Sequence, residues 1–243
     1  MDMISPTLYR DHMVEVKRRF RAIDRILGAK KPRTLTAELD DEFMWLQLRQ
    51  IVELVAYSAV AADEYRYAAL RQEQDKNADY RVDSKPAKVL KHLSQISLHF
   101  LPKSLGAMMP QSDGVKHFEA GEESALLERF LTIHDAAGQH LHAVNPFNPV
   151  DVKDLAVRRS VARERIKAEA AYLKGCLWFH AKVGLAFSPT DLPRENASPD
   201  TAWIVQFGPA DTDDVKMVLA EGSNGSPRVL PWARAGSRIS VSP

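Results

Sequence analysis

Apolar side chains recur at helical spacing from the start of the chain. Leu8, Met13, Val16, Phe20, Ile23 and Leu27 share one stripe. Ser5-Pro6 before them supplies an N-cap and a proline at the first helical position, and Gly28 ends the segment. Residues 29–39, with Pro32, Thr34 and Thr36, read as a connector. Residues 41–75 predict a second helix. Its first half, "DEFMWLQLRQIVELVAYSAV", is apolar nearly all round, which marks a helix in the middle of a bundle. Its second half turns polar and leads into the loop "KNADYRVDS". A third helix is expected over 85–100, with Val89, Leu90, Leu93, Ile96 and Leu98 toward the core. Residues 101–121 carry Pro102, Gly106, Pro110 and Gly114 and read as a long irregular loop, functional or mobile. A fourth helix is expected over 122–144, closed by Asn145-Pro146, with Phe147 plugging the end of the bundle. Residues 150–175 predict a fifth, charged helix with Gly175 as its C-cap.

The pattern then changes. "CLWFHAKVGLAF" (176–187), "TAWIVQFG" (201–208) and "DVKMVLAEG" (214–222) are short, rich in aromatic and β-branched residues, and separated by Pro, Asn, Asp and Gly. They predict an antiparallel meander. The expected fold class is α+β, mainly α: a bundle of about five helices over 1–175, a small C-terminal β-meander over 176–222 packed on it, and a flexible tail over 223–243.

Composition narrows the functional classes. Lys plus Arg number 33 against 32 for Asp plus Glu, a net charge of +1, so global charge gives no argument for a polyanionic partner. Local basic runs remain at 17–21 ("KRRFR") and 158–167 ("RRSVARERIK"), the best candidates for phosphate contact. The single cysteine, Cys176, reads as a buried small hydrophobe; it permits no intrachain disulfide and no Cys-built zinc site. The N-terminal residues lack the apolar run of a signal peptide, and no window reaches eighteen apolar residues, so a cytoplasmic protein without a membrane span is expected. Gly-rich phosphate loops, GxSxG and HExxH are all absent, and neither a metal nor a cofactor is expected.

Two constellations could carry chemistry. Arg49 and Glu53 lie four apart in the most apolar helix, with Tyr57 one turn further on. A charge in such a helix must be paired, either as structural cement or as a site floor that orients a histidine from another helix. The second is "RFLTIHDAAGQHLHAVNPFNP" (129–149). On a continuous helix His134, Gly138 and His142 share a face, His140 points elsewhere, and Arg129 lies off that stripe. His142 and Asn145 with Arg49 and Glu53 form an alternative polar centre, able to floor a small-ligand pocket.

A helical bundle with Arg129 and His134 spaced R-x4-H, beside an Asn-bearing turn, resembles the HEPN superfamily. "LQLRQIVELVAYSAV" with "AAGQHLHAVNPF" also looks like a set of bacterial proteins sharing an LRxxxEL…LHxxNPF layout. The HEPN resemblance implies a homodimeric, metal-independent ribonuclease of toxin or antiviral-defence type. In it Arg129 and His134 act together on an RNA phosphodiester. The other expectation is a non-catalytic protein-interaction or sensor subunit, in which the histidines serve helix packing.

Overall fold

The computed structural model describes residues 4–76, 79–97, 100–109, 117–143, 147, 149–184, 201–221 and 230–231. Helix α1, Ile4–Leu27, buries Tyr9, Met13, Val16, Phe20 and Ile23, an alternating three-and-four spacing that forms one continuous stripe. It packs along α2, Ala37–Ala62, through Met44, Leu48, Ile51 and Val55. Thr36 caps α2, its Oγ1 accepting from the Leu39 amide at 3.3 Å. As the all-round apolarity of its first half predicts, α2 is the hub of the bundle and contacts five other helices.

The expected helix over 41–75 is in fact two. Asp63 leaves helical geometry at φ −122°, ψ 28°, and α3 runs Glu64–Gln74. At the break the Asp63 carboxylate meets Lys182 Nζ at 3.0 Å, and both side chains are buried. A 3-10 turn at Tyr80–Val82 leads to α4, Pro86–Ile96, which turns Val89, Leu90, Leu93 and Ile96 inward. Helix α5 spans Leu127–Leu141 and α6 spans Pro149–Leu177.

The described residues of 101–121 include two antiparallel strands, where an irregular loop was expected. Strand β1, Lys103–Met109, pairs antiparallel with β2, His117–Ala120, through a bulge between Leu105 and Met108. At Gly106 a Cβ would sit 2.9 Å from the Ala120 carbonyl, so the bulge requires glycine there. The expected C-cap at Gly175 is likewise corrected. Helix α6 runs through it to Leu177, and the residue is small because Glu123 crosses close by, its Cγ 2.5 Å from where a Cβ would stand.

The meander forms as expected from β3, Phe179–Gly184; β4, Thr201–Phe207; and β5, Val215–Glu221. Leu230–Pro231, within the expected tail, adds a short β6, and the rest of the tail lies outside the described residues. The whole sheet is antiparallel in the order β2-β1-β3-β4-β5-β6. Trp203, Val205, Phe207, Val215 and Met217 alternate inward. Helix α1 anchors the sheet: Lys17 donates to the Asp214 carbonyl at 2.7 Å, and Arg18 and Arg21 both grip Asp213.

Strand β3 turns its polar phase inward. His180 and Lys182 are fully buried, opposite Val205 and Trp203. The Leu177 carbonyl can only accept, so His180 Nδ1–H donates to it at 2.8 Å. Nε2 therefore accepts from the Tyr9 hydroxyl at 2.9 Å, which fixes the neutral ring. Burial, the largest cause, and the nearby Lys182 charge push the His180 pKa down from 6.5 to about 4. A depressed histidine contributes stability that is complete above its unfolded value and is lost as pH falls through the native one. Acid should therefore remove about 3 kcal/mol at this residue between pH 6.5 and 4. Urea titrations at several pH values check this. In His180→Gln the pH slope across that window should flatten; an unchanged slope would place the acid sensitivity elsewhere.

Candidate functional site

Helix α2 leaves one face partly open, and the apolar run places an ion pair on it. Arg49 Nε meets Glu53 Oε1 at 3.0 Å, both side chains being about 30% exposed, so the pair lies at the edge of the bundle instead of in its centre. Helix α5 packs beside it, burying Phe130, Ile133, Ala136 and Ala137. That phase brings His134 against α2. Its Nε2 lies 3.5 Å from the same Glu53 oxygen, and its Nδ1 3.7 Å from Oδ1 of the exposed Asp135. Both ring nitrogens are buried and lack a hydrogen bond among the described residues. Tyr57, half-buried one turn beyond Glu53, has its phenol pushed above 10 by burial first and then by the Glu53 and Asp83 charges. Arg49 and Glu53 of α2 and His134 of α5 thus form one line of polar groups, with Tyr57 one turn further along α2 within reach of the Glu53 charge.

Arg129 does not join them. Its Nη2 is 2.8 Å from Oε2 of the buried Glu169 on α6, and its guanidinium lies over the Tyr172 ring at 5.2 Å. Tyr172 OH donates to the Ser124 carbonyl at 2.9 Å, so the group ties α5, α6 and the 124–126 segment together. Phe130, next in sequence, is core. The R-x4-H pair is therefore split within the chain, because about 500° of helix turn sends the two residues to different neighbouring helices.

Of the expected stripe of His134, Gly138 and His142, the last residue stands just past the end of the helix, its ring still beside Gly138. Helix α5 ends at Leu141, and His142 is an exposed C-cap whose amide donates to the Gly138 carbonyl at 3.0 Å. Among the described residues a Cβ on Gly138 would meet only His142 Cδ2, at an ordinary 3.9 Å, so none of the described helices approaches closely there. Asn145 lies outside the described residues. Phe147 is 92% exposed, so it is not buried in the end of the bundle as expected. Cys176 is buried as expected, its thiol raised to about 11 chiefly by burial.

Of the three histidines in 134–142, His140, which points away from the expected stripe, has the ring contact. His140 stacks on Trp45 with ring centroids 4.6 Å apart and planes 11° from parallel, and Arg165 lies 5.6 Å over the same indole. Burial, then the charges of Arg158, Arg165 and Arg159, lower the His140 pKa to about 4, so the ring is neutral at pH 7. Glu169 was also missed, though the sequence carries a signal: an acid on the apolar stripe of Ile166, Ala170 and Leu173 must have a partner.

A cleft of about 620 Å³ opens beside the β1–β2 hairpin, lined by Phe100, Leu101, Lys103, Phe118, Glu119 and Leu126. It has ligand size but no cluster of converging titratable groups. Among the described residues no group of three or more His, Cys, Asp or Glu could hold a metal ion, and no helix is long and apolar enough to cross a membrane. No protein-family model, curated protein or solved structure matches this chain.

Proposed function

We propose that the chain is a metal-independent ribonuclease whose acid–base group is His134, oriented by Glu53, with Arg49 as the adjacent cation. The supporting observation is the Arg49–Glu53–His134 line reaching from α2 to α5. A carboxylate facing one imidazole nitrogen fixes the tautomer and steadies the ring when it takes a proton. With Glu53 on Nε2, Nδ1 is the working nitrogen. Nδ1 is buried in this structure, so the proposal requires the side chains around it to move aside for substrate, and the 3.5 Å contact on Nε2 to tighten. His134 removes the proton of an RNA 2′-OH, and the 2′-oxygen bonds to phosphorus. The bond to the 5′-oxygen breaks, and that oxygen receives the proton back. Arg49 offsets charge on the phosphoryl oxygens. The products are a 2′,3′-cyclic phosphate and a 5′-hydroxyl. Arg129 is assigned instead to the scaffold.

The test is incubation of the purified protein with end-labelled single-stranded RNA in EDTA. Cleavage leaving cyclic phosphate ends is expected. Intact RNA, or cleavage only with added metal, would refute the proposal.

One observation favours a second role, a protein-interaction subunit. Leu39, Phe43 and Leu46 lie at i, i+4 and i+7 on the open face of α2 and are each about 40% exposed. This apolar stripe leads directly to Gln50 and Glu53 on the same face. In the ribonuclease proposal it is where a second copy would lie; in the interaction proposal it takes a different protein.

A further inference from the structure

Both basic runs that stand out in the sequence are engaged within the fold. Lys17 donates to the Asp214 carbonyl, Arg18 and Arg21 grip Asp213, and Arg19 meets Glu15 and Gln47. In the second run Arg158 donates to the Gln139 carbonyl, and Arg159, Arg163, Arg165 and Lys167 face Glu42, Asp41, Glu169 and Glu164.

Helix α4 is different. Lys85, Lys88 and Lys91 recur every third residue on its exposed side, over about 9 Å at 1.5 Å per residue. None of the three ammonium groups has an ion pair or a hydrogen bond among the described residues. Residues 84–112 contain no Asp or Glu. The acids nearest before them already have donors. Asp79 accepts from the Arg81 amide at 3.0 Å, and Asp83 accepts from Tyr67 at 2.8 Å and from Arg71 at 2.7 Å. Stability does not account for the lysines, since cations at the N-terminal end of a helix oppose its dipole and no acid in the first turn offsets them. The local field is positive: burial first, then the Arg71 and Lys88 charges, lower the His92 pKa.

The stripe also stands near the candidate site. Helix α4 packs on α2 through Val89, Leu90 and Leu93. Burial, then the Glu53 and Asp83 charges, raise the Tyr57 pKa. Burial works to raise the Asp83 pKa, but its bonds from Arg71 and Tyr67, with the Lys88 charge behind them, hold it below the usual value. Asp83 is therefore within electrostatic reach of Tyr57 on one side and Lys88 on the other.

Resting on the ribonuclease proposal, we infer that Lys85, Lys88 and Lys91 form a phosphate-contacting track for the single-stranded RNA substrate, at the Tyr57 end of the polar line. Ammonium groups spaced along one helix meet backbone phosphates as point charges and carry no base readout. At the ~3.4 Å axial rise of a stacked strand the track spans about three nucleotides. A membrane surface fits less well, because the apolar face of α4 is already buried in the core and cannot enter a bilayer.

The test uses a charge-matched control. Arg25, Lys30 and Lys31 are exposed, likewise without partners among the described residues, and lie at the α1–α2 turn, away from the Tyr57 end of α2. Fluorescence anisotropy follows binding of a labelled 2′-O-methyl RNA of about twelve nucleotides, which cannot be cut, between about 50 and 200 mM salt. In the Lys85→Gln, Lys88→Gln, Lys91→Gln variant, affinity at the lower salt should fall about tenfold or more, and the salt slope should drop by about 2. The Arg25→Gln, Lys30→Gln, Lys31→Gln variant should change much less. Thermal melting confirms that both variants are folded. Equal losses in the two variants would overturn the track in favour of diffuse attraction. Unchanged binding in the α4 variant would also overturn it, and so would a parent that binds phosphatidylserine vesicles or nothing at all instead of RNA. Binding that depends on the three α4 lysines in a protein that cuts no RNA would uphold the track and remove the ribonuclease assignment alone.

Discussion

Replacing His134 by alanine should lower kcat for RNA cleavage in EDTA by about 10²- to 10⁴-fold with little change in KM, the range for loss of one general acid–base group. Glu53→Gln keeps the shape but loses the charge facing the ring, and should cost about 10- to 100-fold, as expected for an orienting partner. Arg129→Ala should leave cleavage nearly unchanged. It would instead destabilise the fold by about 1–2 kcal/mol, because the buried Glu169 keeps only Arg165 at 3.7 Å. Steady-state kinetics and melting of the three variants decide the matter. The opposite pattern, with Arg129→Ala inactive at unchanged melting temperature, would mean that Arg129 acts from a second subunit, as the HEPN resemblance implies.

Lys182→Met is expected to be the most destabilising single change outside the apolar core. It leaves the Asp63 carboxylate buried at the α2–α3 break without its ion-pair partner, and such losses run to about 3–5 kcal/mol. For a chain of this length that corresponds to a fall in melting temperature of about 6–20 °C. The double variant Asp63→Leu, Lys182→Met should recover most of the loss, since replacing both partners removes the uncompensated charge. Urea denaturation of the single and double variants measures the recovery. A double variant no more stable than the single one would show that the pair fixes the helix break itself.

The helices were legible because each carries its own period. The stripe from Met13 to Ile23 and the all-apolar first half of α2 can be read without knowing any partner, and so can the three meander strands; at the start of α1, however, Tyr9 is buried where Leu8 was expected, and Leu8 is 41% exposed. The β1–β2 hairpin was not legible, because "KSLGAMM" and "HFEA" lack clean alternation and pair with β3 only across two intervening helices. Of the candidate site, Arg49 and Glu53 were legible as charges on an apolar helix that needed a use. Their meeting with His134 was not, since it depends on which face of α5 is buried.

Strand β3 shows the same division most sharply. Its sequence offers two phases, Phe179-Ala181-Val183 or His180-Lys182, and hydrophobicity favours turning the first inward. The second is buried, because Tyr9 and Asp63 wait beneath the sheet to satisfy it, and Phe179 packs against Phe118 of β2. Sequence alone determined the mainly helical class, the order of most helices and of the meander strands, and the Arg49–Glu53 pair, since period, caps and the cost of burying charge are local properties. Which residues became partners across the fold (Glu53 for His134, Glu169 for Arg129, Asp63 for Lys182) was decided by tertiary packing, which fixes helix phase and strand face through contacts far apart in the chain.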